Sequence, residues 1–223
     1  MINSGTPAIG QVSLEKIKRN VASPPSYEQG FGQITLSRVL LFDDDAGTRN
    51  LEVYDNVASL FQAEHHLYCF HATTEIKVTL VWNDVPGEVD AYPALVNNLD
   101  LFAYDDNSGN MILGNRKEFV EDQTRFQYWD EVNNVEQFEM ASAVDMNATL
   151  SVYVQARTIA DQATQDYSLV VTGEFEVLDS RDCSSRRECF IPDIPNVRDR
   201  DFEIFFCFCF YVPFLCVLSF PVL

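Results

Sequence analysis

Alternation with a period of two runs through the middle of this chain and leaves little room for anything but strands. Ile76, Val78, Leu80 and Trp82 fall on one side of an extended backbone and Lys77 and Thr79 on the other, the pattern of a strand with one face on a core and one in water. Asn83, Asp84, Pro86 and Gly87 break the run, after which Leu99, Leu101 and Ala103 resume it with Asp100 opposed to them. Two strands joined by a long acidic loop are therefore expected. The period recurs at Leu150, Val152, Val154 and Ala156 and at Tyr167, Leu169 and Val171, with a lead-in from Val135 to Met140. Between Asn50 and Phe70 the apolar residues also read as strand, broken at Asp55-Asn56 and at Glu64-His65-His66. Roughly eight strands separated by polar turns predict an all-β fold, an antiparallel jelly-roll sandwich.

A chain of 223 residues, 47% of them hydrophobic, is long enough to bury one such core. Its net charge of −19 excludes nucleic acid as a partner, because phosphate binding takes clustered Lys and Arg. Three of the six cysteines lie in the apolar C-terminal run, so no disulfide framework is expected. Cys183 and Cys189 are near enough in sequence to pair, and free thiols are the expectation for them.

Several side chains carry candidate chemistry. His65, His66 and His71 surround Cys69. In a strand Cys69 and His71 share a face while His66 points away, so ordinary surface histidines are expected and no metal is assigned. Asp105, Asp106 and Asn107, followed by Ser108, Gly109 and Asn110, supply oxygen ligands at a spacing that is not that of an EF-hand. A solvated hairpin turn is expected there, with calcium as the alternative, and Asp43, Asp44 and Asp45 form a second acidic cluster. Phe119, Phe126, Tyr128 and Trp129 form an aromatic strip that either covers a sheet edge or stacks on sugar rings, Trp129 being the stacking candidate and Trp82 a second. Asn147-Ala148-Thr149 is an N-glycosylation sequon in a predicted turn.

LVWNDVPG at positions 80 to 87, followed by ALVNNLDL at 94 to 101, resembles the β-rich domain that follows the catalytic domain in a branch of the subtilisin-like serine proteases. SYEQGFGQITLSRVL at 26 to 40, NNVEQF at 133 to 138 and QDYSLVVTG at 165 to 173 fit the same family in the same order. The resemblance implies that Met1 to Ser4 is the last turn of a catalytic-domain helix. Gly5 would supply its left-handed cap and Pro7 would refuse its continuation. It also implies that GFGQITLSRVL closes that domain, with Leu36, Val39 and Leu40 on one face of a short helix. The implied division is residues 1–42 as the end of a catalytic domain with its connector, 43–178 as the jelly roll, and 179–223 as a charged linker and apolar tail. The partner implied is a subtilisin-like catalytic domain in cis, and the implied location is extracellular or membrane-associated.

The triad of such a protease would lie upstream of Met1. None of His65, His66 and His71 sits in a matching motif, and Ser4 is a poor nucleophile candidate, so no catalytic residue is assigned and no cofactor is expected. No secretory signal is legible at the N-terminus. Residues 202–223 are apolar apart from Glu203 and interrupted by Pro213 and Pro221. They are open to three readings: a tail without counterpart in the family, a membrane span, or a lipid-anchor signal. Three functions follow: a non-catalytic companion to a protease domain, a free-standing module that binds carbohydrate or protein, or an inactive relic. Apolar surface around Phe31, Ile34 and Leu36 would mark the first.

Overall fold

The computed structural model describes residues 1–8, 11–14, 17–20, 26, 29–41, 49–91, 94–115, 129–141, 147–160, 163–179 and 183. Met1–Ser185 pack as one unit, and Arg186–Leu223, a second unit containing the apolar tail and Cys189, lie outside the described residues. The first unit opens with a 3-10 turn, Ile2–Ser4, then β1 (Gly5–Thr6), β2 (Gln11–Leu14), β3 (Ile17–Asn20), β4 (Gln33–Ile34) and a second 3-10 turn, Leu36–Arg38. Seven longer elements follow: β5 (Asn50–Leu60), β6 (His65–Trp82), β7 (Asn98–Asp105), β8 (Met111–Leu113), β9 (Val135–Ala141), β10 (Ala148–Thr158) and β11 (Gln165–Leu178).

These seven strands form an antiparallel sheet in the order β5-β11-β6-β10-β7-β8, with β9 added to β6. β6 is 18 residues long and changes partners along its length. From Glu75 to Val81 it pairs with β9, and from His65 to Ala72 it pairs with β10. β11 runs along it from Trp82, opposite Tyr167, to Cys69, opposite Leu178, while His65–Tyr68 pair with β10. The sheet thus doubles over into two layers, β5-β11-β6-β9 and β6-β10-β7-β8, the all-β antiparallel sandwich expected. Ile76, Val78, Leu80, Trp82, Leu101, Phe138, Val152, Val154, Leu169 and Val171 belong to one continuous buried core between the layers.

The doubling depends on a glycine. Register slips between Gly173 and Phe175, where φ at Gly173 is +137°. A Cβ there would lie 2.2 Å from the carbonyl oxygen of Glu75, so no other residue fits without moving β6. The glycine is a bulge inside β11. Asp55-Asn56 behave likewise, falling where the β5–β11 register shifts between Asp166 and Ser168 rather than in a turn.

β6 and β7 are the two strands expected on either side of the long crossing, and β10 lies between them and pairs with both. Two more expectations are corrected. The polar side of β6 is not wet: Lys77 and Thr79 are 4% and 2% exposed. The N-terminal segment covers them. Cys183, expected as a free thiol or a partner of Cys189, is bonded to Cys69 across 114 residues. Periodicity reports which residues are apolar, and a crosslink between a strand interior and a segment beyond the last strand leaves no periodic trace.

The bridge ties the chain beyond β11 to the first half of β6 and closes a loop of more than a hundred residues. Replacing Cys69 by Ala is expected to lower the unfolding free energy by roughly 2–5 kcal/mol, read from the denaturant midpoint of the purified chain. A midpoint equal to that of the native chain, and unmoved by dithiothreitol in the latter, would show that the bridge constrains nothing.

Candidate functional site

Residues 1–8 and 29–41 form a small unit seated on the outer face of β6, β9 and β11. Gly5 and Thr6 pair with Ile34 and Gln33, and Thr35 N–H donates to the Ser4 carbonyl at 3.2 Å. The expected helix end is a 3-10 turn, and Gly5 is not a left-handed cap: its φ is −59°. Glycine is needed for a different reason, since a Cβ would meet the Phe31 carbonyl oxygen at 2.2 Å.

The seam beneath this unit is polar. Asn3 is 3% exposed; its Nδ2 donates to Thr172 Oγ1 at 2.7 Å and its Oδ1 accepts from Thr79 Oγ1 at 2.6 Å. Gln137 Nε2 donates to the same Thr79 hydroxyl oxygen at 2.7 Å, and Lys77 Nζ donates to the Gly5 carbonyl at 2.6 Å. Arg38 bonds Glu139 at 2.8 Å, Arg49 bonds Glu75 at 3.1 Å, and Lys77 lies 3.4 Å from Glu139. Burial lowers the pKa of the Lys77 ammonium, and the Glu139 carboxylate opposes that. Each buried polar group in this seam meets a partner, which makes the placement of the segment specific rather than merely adhesive.

With its polar groups turned inward, the segment presents apolar side chains outward. Ile34 is 56% exposed, Leu36 53%, Leu40 47% and Leu41 51%. Four large aliphatic side chains within eight residues are thus exposed, a concentration of the kind that marks a contact surface.

A second polar cluster lies at one end of the sandwich. Asp84 accepts from the backbone N–H of Val85, Val96 and Asn97, pinning both ends of the 83–97 crossing. Trp82 Nε1 donates to the Asn97 carbonyl at 2.9 Å, Asn97 Nδ2 donates to Gln165 Oε1 at 2.7 Å, and Asn134 Nδ2 donates to the Trp82 carbonyl at 3.0 Å. The motifs beginning at Leu80, Ala94, Asn133 and Gln165 thus converge on one corner, where they fix loop geometry.

Below that corner lie two fully buried carboxyls. Glu136 Oε2 accepts from Leu101 N–H at 2.6 Å, and Asp100, read from the sequence as solvent-side, is 0% exposed and paired with Arg157 at 2.5 Å. Asp100 Oδ1, Glu136 Oε1 and Asn98 Oδ1 are buried without a hydrogen-bond partner among the described residues. Burial pushes the Asp100 carboxyl up to about 6 against the pull of Arg157. Burial, and then the nearby Asp100, push Glu136 well above its ordinary value. Asp130 and Glu131 add negative charge on the same side.

The remaining candidates land as follows. Trp129 is 8% exposed, edge-on to Phe102 at 5.4 Å, with the Arg157 guanidinium 4.4 Å above its ring. It fills the outer face of β7 and β10 instead of offering a free surface; Trp82, 2% exposed, lies in the main core. Asp105 shapes the β7–β8 hairpin turn by accepting from Asn107 N–H and Ser108 Oγ. Asp106 accepts from Ser151 Oγ at 3.0 Å, and Asn107 Nδ2 donates to the Asn147 carbonyl at 2.9 Å. Asp43, Asp44, Asp45, Phe119, Phe126 and Tyr128 lie outside the described residues. Cys69 is held in the disulfide, and among the described residues no group of three metal-ligating side chains converges. His66 Nδ1 lies 2.8 Å from Tyr167 Oη, His71 Nδ1 lies 3.4 Å from Thr149 Oγ1, and His65 stands against the Tyr153 ring. The Ser4 hydroxyl donates to the Met1 carbonyl at 2.6 Å. Asn147 is exposed immediately before β10, with φ at +44°.

No family model matches the chain. It is 30% identical over 181 residues to the Serine protease/ABC transporter B family protein tagA of Dictyostelium discoideum, a match covering 77% of this chain and 10% of that protein. The chain therefore spans about a tenth of the length of the curated relative it matches. That likeness relates it to a protein named as a serine protease.

The two buried carboxyls predict a pH dependence with a definite sign. Their folded pKa values are raised, so the native state keeps protons that the unfolded chain releases. The stability they contribute is complete below the ordinary carboxylate range and is lost as pH rises, through about 6 for Asp100 and through the raised value of Glu136. Glu136→Gln holds a neutral isostere in place and is expected to flatten the fall in denaturation midpoint as pH rises above the ordinary carboxylate range. A variant whose midpoint declines as steeply as that of the native chain would show that Glu136 is ionised throughout.

Proposed function

We propose that this chain is the non-catalytic β-sandwich region of a subtilisin-like serine endopeptidase, packing in cis against the catalytic domain and steadying it. The observation that carries the reading is the outward apolar face of Ile34, Leu36, Leu40 and Leu41, borne on a segment that the buried Asn3, Lys77 and Thr79 contacts hold to the sandwich. A patch of this kind supports a macromolecular partner. Its rigid backing supports one that is permanently seated, because a preordered surface loses little entropy on docking. The likeness to a protein named as a serine protease supports the identity of that partner.

On this reading the sandwich contributes position rather than chemistry. Hydrolysis by a protease of this class takes a nucleophilic hydroxyl, an imidazole base, its orienting carboxylate and oxyanion donors in one place. Here the histidines are occupied with Tyr167, Thr149 and Tyr153, and the Ser4 hydroxyl with a backbone carbonyl. The reading as a carbohydrate-binding module has less to stand on, since it drew on Trp82 and Trp129 as open stacking platforms and both rings are buried.

The decisive experiment reads the transcript through the codon for Met1. It is expected to continue upstream in frame into a catalytic domain with its Asp, His and Ser, and the pure 223-residue chain is expected to cleave no peptide substrate. An in-frame stop immediately upstream, or hydrolysis by the pure chain that a serine reagent abolishes, would overturn the proposal.

A further inference from the structure

We propose that Asn147 carries an N-linked glycan, attached while the chain folds in an oxidising secretory compartment. Two independent features lead there. Asn147-Ala148-Thr149 is the one Asn-X-Ser/Thr sequence in the chain, and its central residue is not proline. The Cys69–Cys183 bond is the second, because disulfides between buried cysteines form and persist where thiols are not kept reduced. Each on its own is common; together they place an acceptor site in the compartment where it is used.

The local geometry suits a bulky addition. Asn147 is exposed immediately before β10, and its backbone takes the left-handed conformation that asparagine tolerates better than most residues. Its N–H donates to the Thr73 carbonyl at 3.3 Å and its carbonyl accepts from Asn107 Nδ2 at 2.9 Å, so both backbone groups are held. Among the described residues its side-chain amide has no partner to give up. Ala148, the next residue, is already buried in β10. A sugar on Asn147 therefore projects from the rim of the sandwich without disturbing its core.

The chemistry balances. The Asn147 amide nitrogen forms a bond to the anomeric carbon of a lipid-pyrophosphate-linked oligosaccharide. The bond from that carbon to the pyrophosphate oxygen breaks, and the amide gives up one proton as the lipid pyrophosphate leaves. Cys69 and Cys183 lose two protons and two electrons to a protein disulfide of the compartment, which is reduced to a dithiol. The inference does not rest on the protease reading: a glycosylated chain with no upstream catalytic domain would refute that reading and leave this one intact.

The test uses the protein isolated from the cells that make it, mapped by mass spectrometry without reduction and with or without an amidase that removes N-glycans. The Asn147 peptide is expected to appear only after the amidase, with the asparagine converted to aspartate, and the Cys69 and Cys183 peptides are expected to be linked. The accompanying gain in gel mobility should be lost in both Asn147→Gln and Thr149→Ala, each of which leaves the core residues in place. Unmodified Asn147 overturns the glycan whatever the state of the cysteines. Cys69 and Cys183 recovered as free thiols overturn the assignment of compartment.

Discussion

Everything in this sandwich depends on β6, an 18-residue strand that exchanges one neighbour for another along its length. A strand of that length in a flat sheet would leave half its backbone groups facing water or an edge. Here β11 runs along one side from Cys69 to Trp82, while the other is shared in turn by β10 and β9. The change of partner is what makes two layers from one sheet, because the segments on either side of Thr73 and Thr74 belong to different faces of the same core. Gly173 permits the matching slip in β11, and the close approach to the Glu75 carbonyl places that slip at the same level.

Against the outer face of this frame, the N-terminal segment is held by polar contacts that are themselves buried. An apolar contact of the same area would be forgiving about register; Asn3, with both ends of its amide engaged, is not. The arrangement separates two tasks. Polar specificity faces the sandwich, and apolar surface faces away. Removing one partner in the seam would leave the other buried and unsatisfied, at a cost of about 1–3 kcal/mol, so the segment either sits correctly or not at all.

The strands were legible because their inner residues obey a strict alternation. Ile76 to Trp82, Leu150 to Ala156 and Tyr167 to Val171 all lie where the pattern puts them. Their neighbours were not legible, since alternation reports faces and says nothing about which strand lies alongside. The same blindness explains Lys77, Thr79 and Asp100: a polar residue opposite a core face reads as solvent-exposed unless its partner is known, and those partners lie 72, 76 and 57 positions away. The family-like motifs were legible as strings but not as a structure. Only the fold shows that Trp82, Asp84, Asn97, Asn134 and Gln165 meet at one corner and fix the loops there. Glu136 was invisible for a related reason, since nothing in its neighbourhood marks a carboxylate that serves as the backbone partner of Leu101 in place of another strand.

The bond between Cys69 and Cys183 also changes how the molecule bears mechanical load. A pull on the chain beyond a terminal strand ordinarily peels that strand away one hydrogen bond at a time, beginning at its frayed tip. Here tension applied past Cys183 enters through sulfur at Cys69, near the start of a strand flanked by β10 and β11. It must slide whole ladders at once, so the sandwich resists traction from that side as a block.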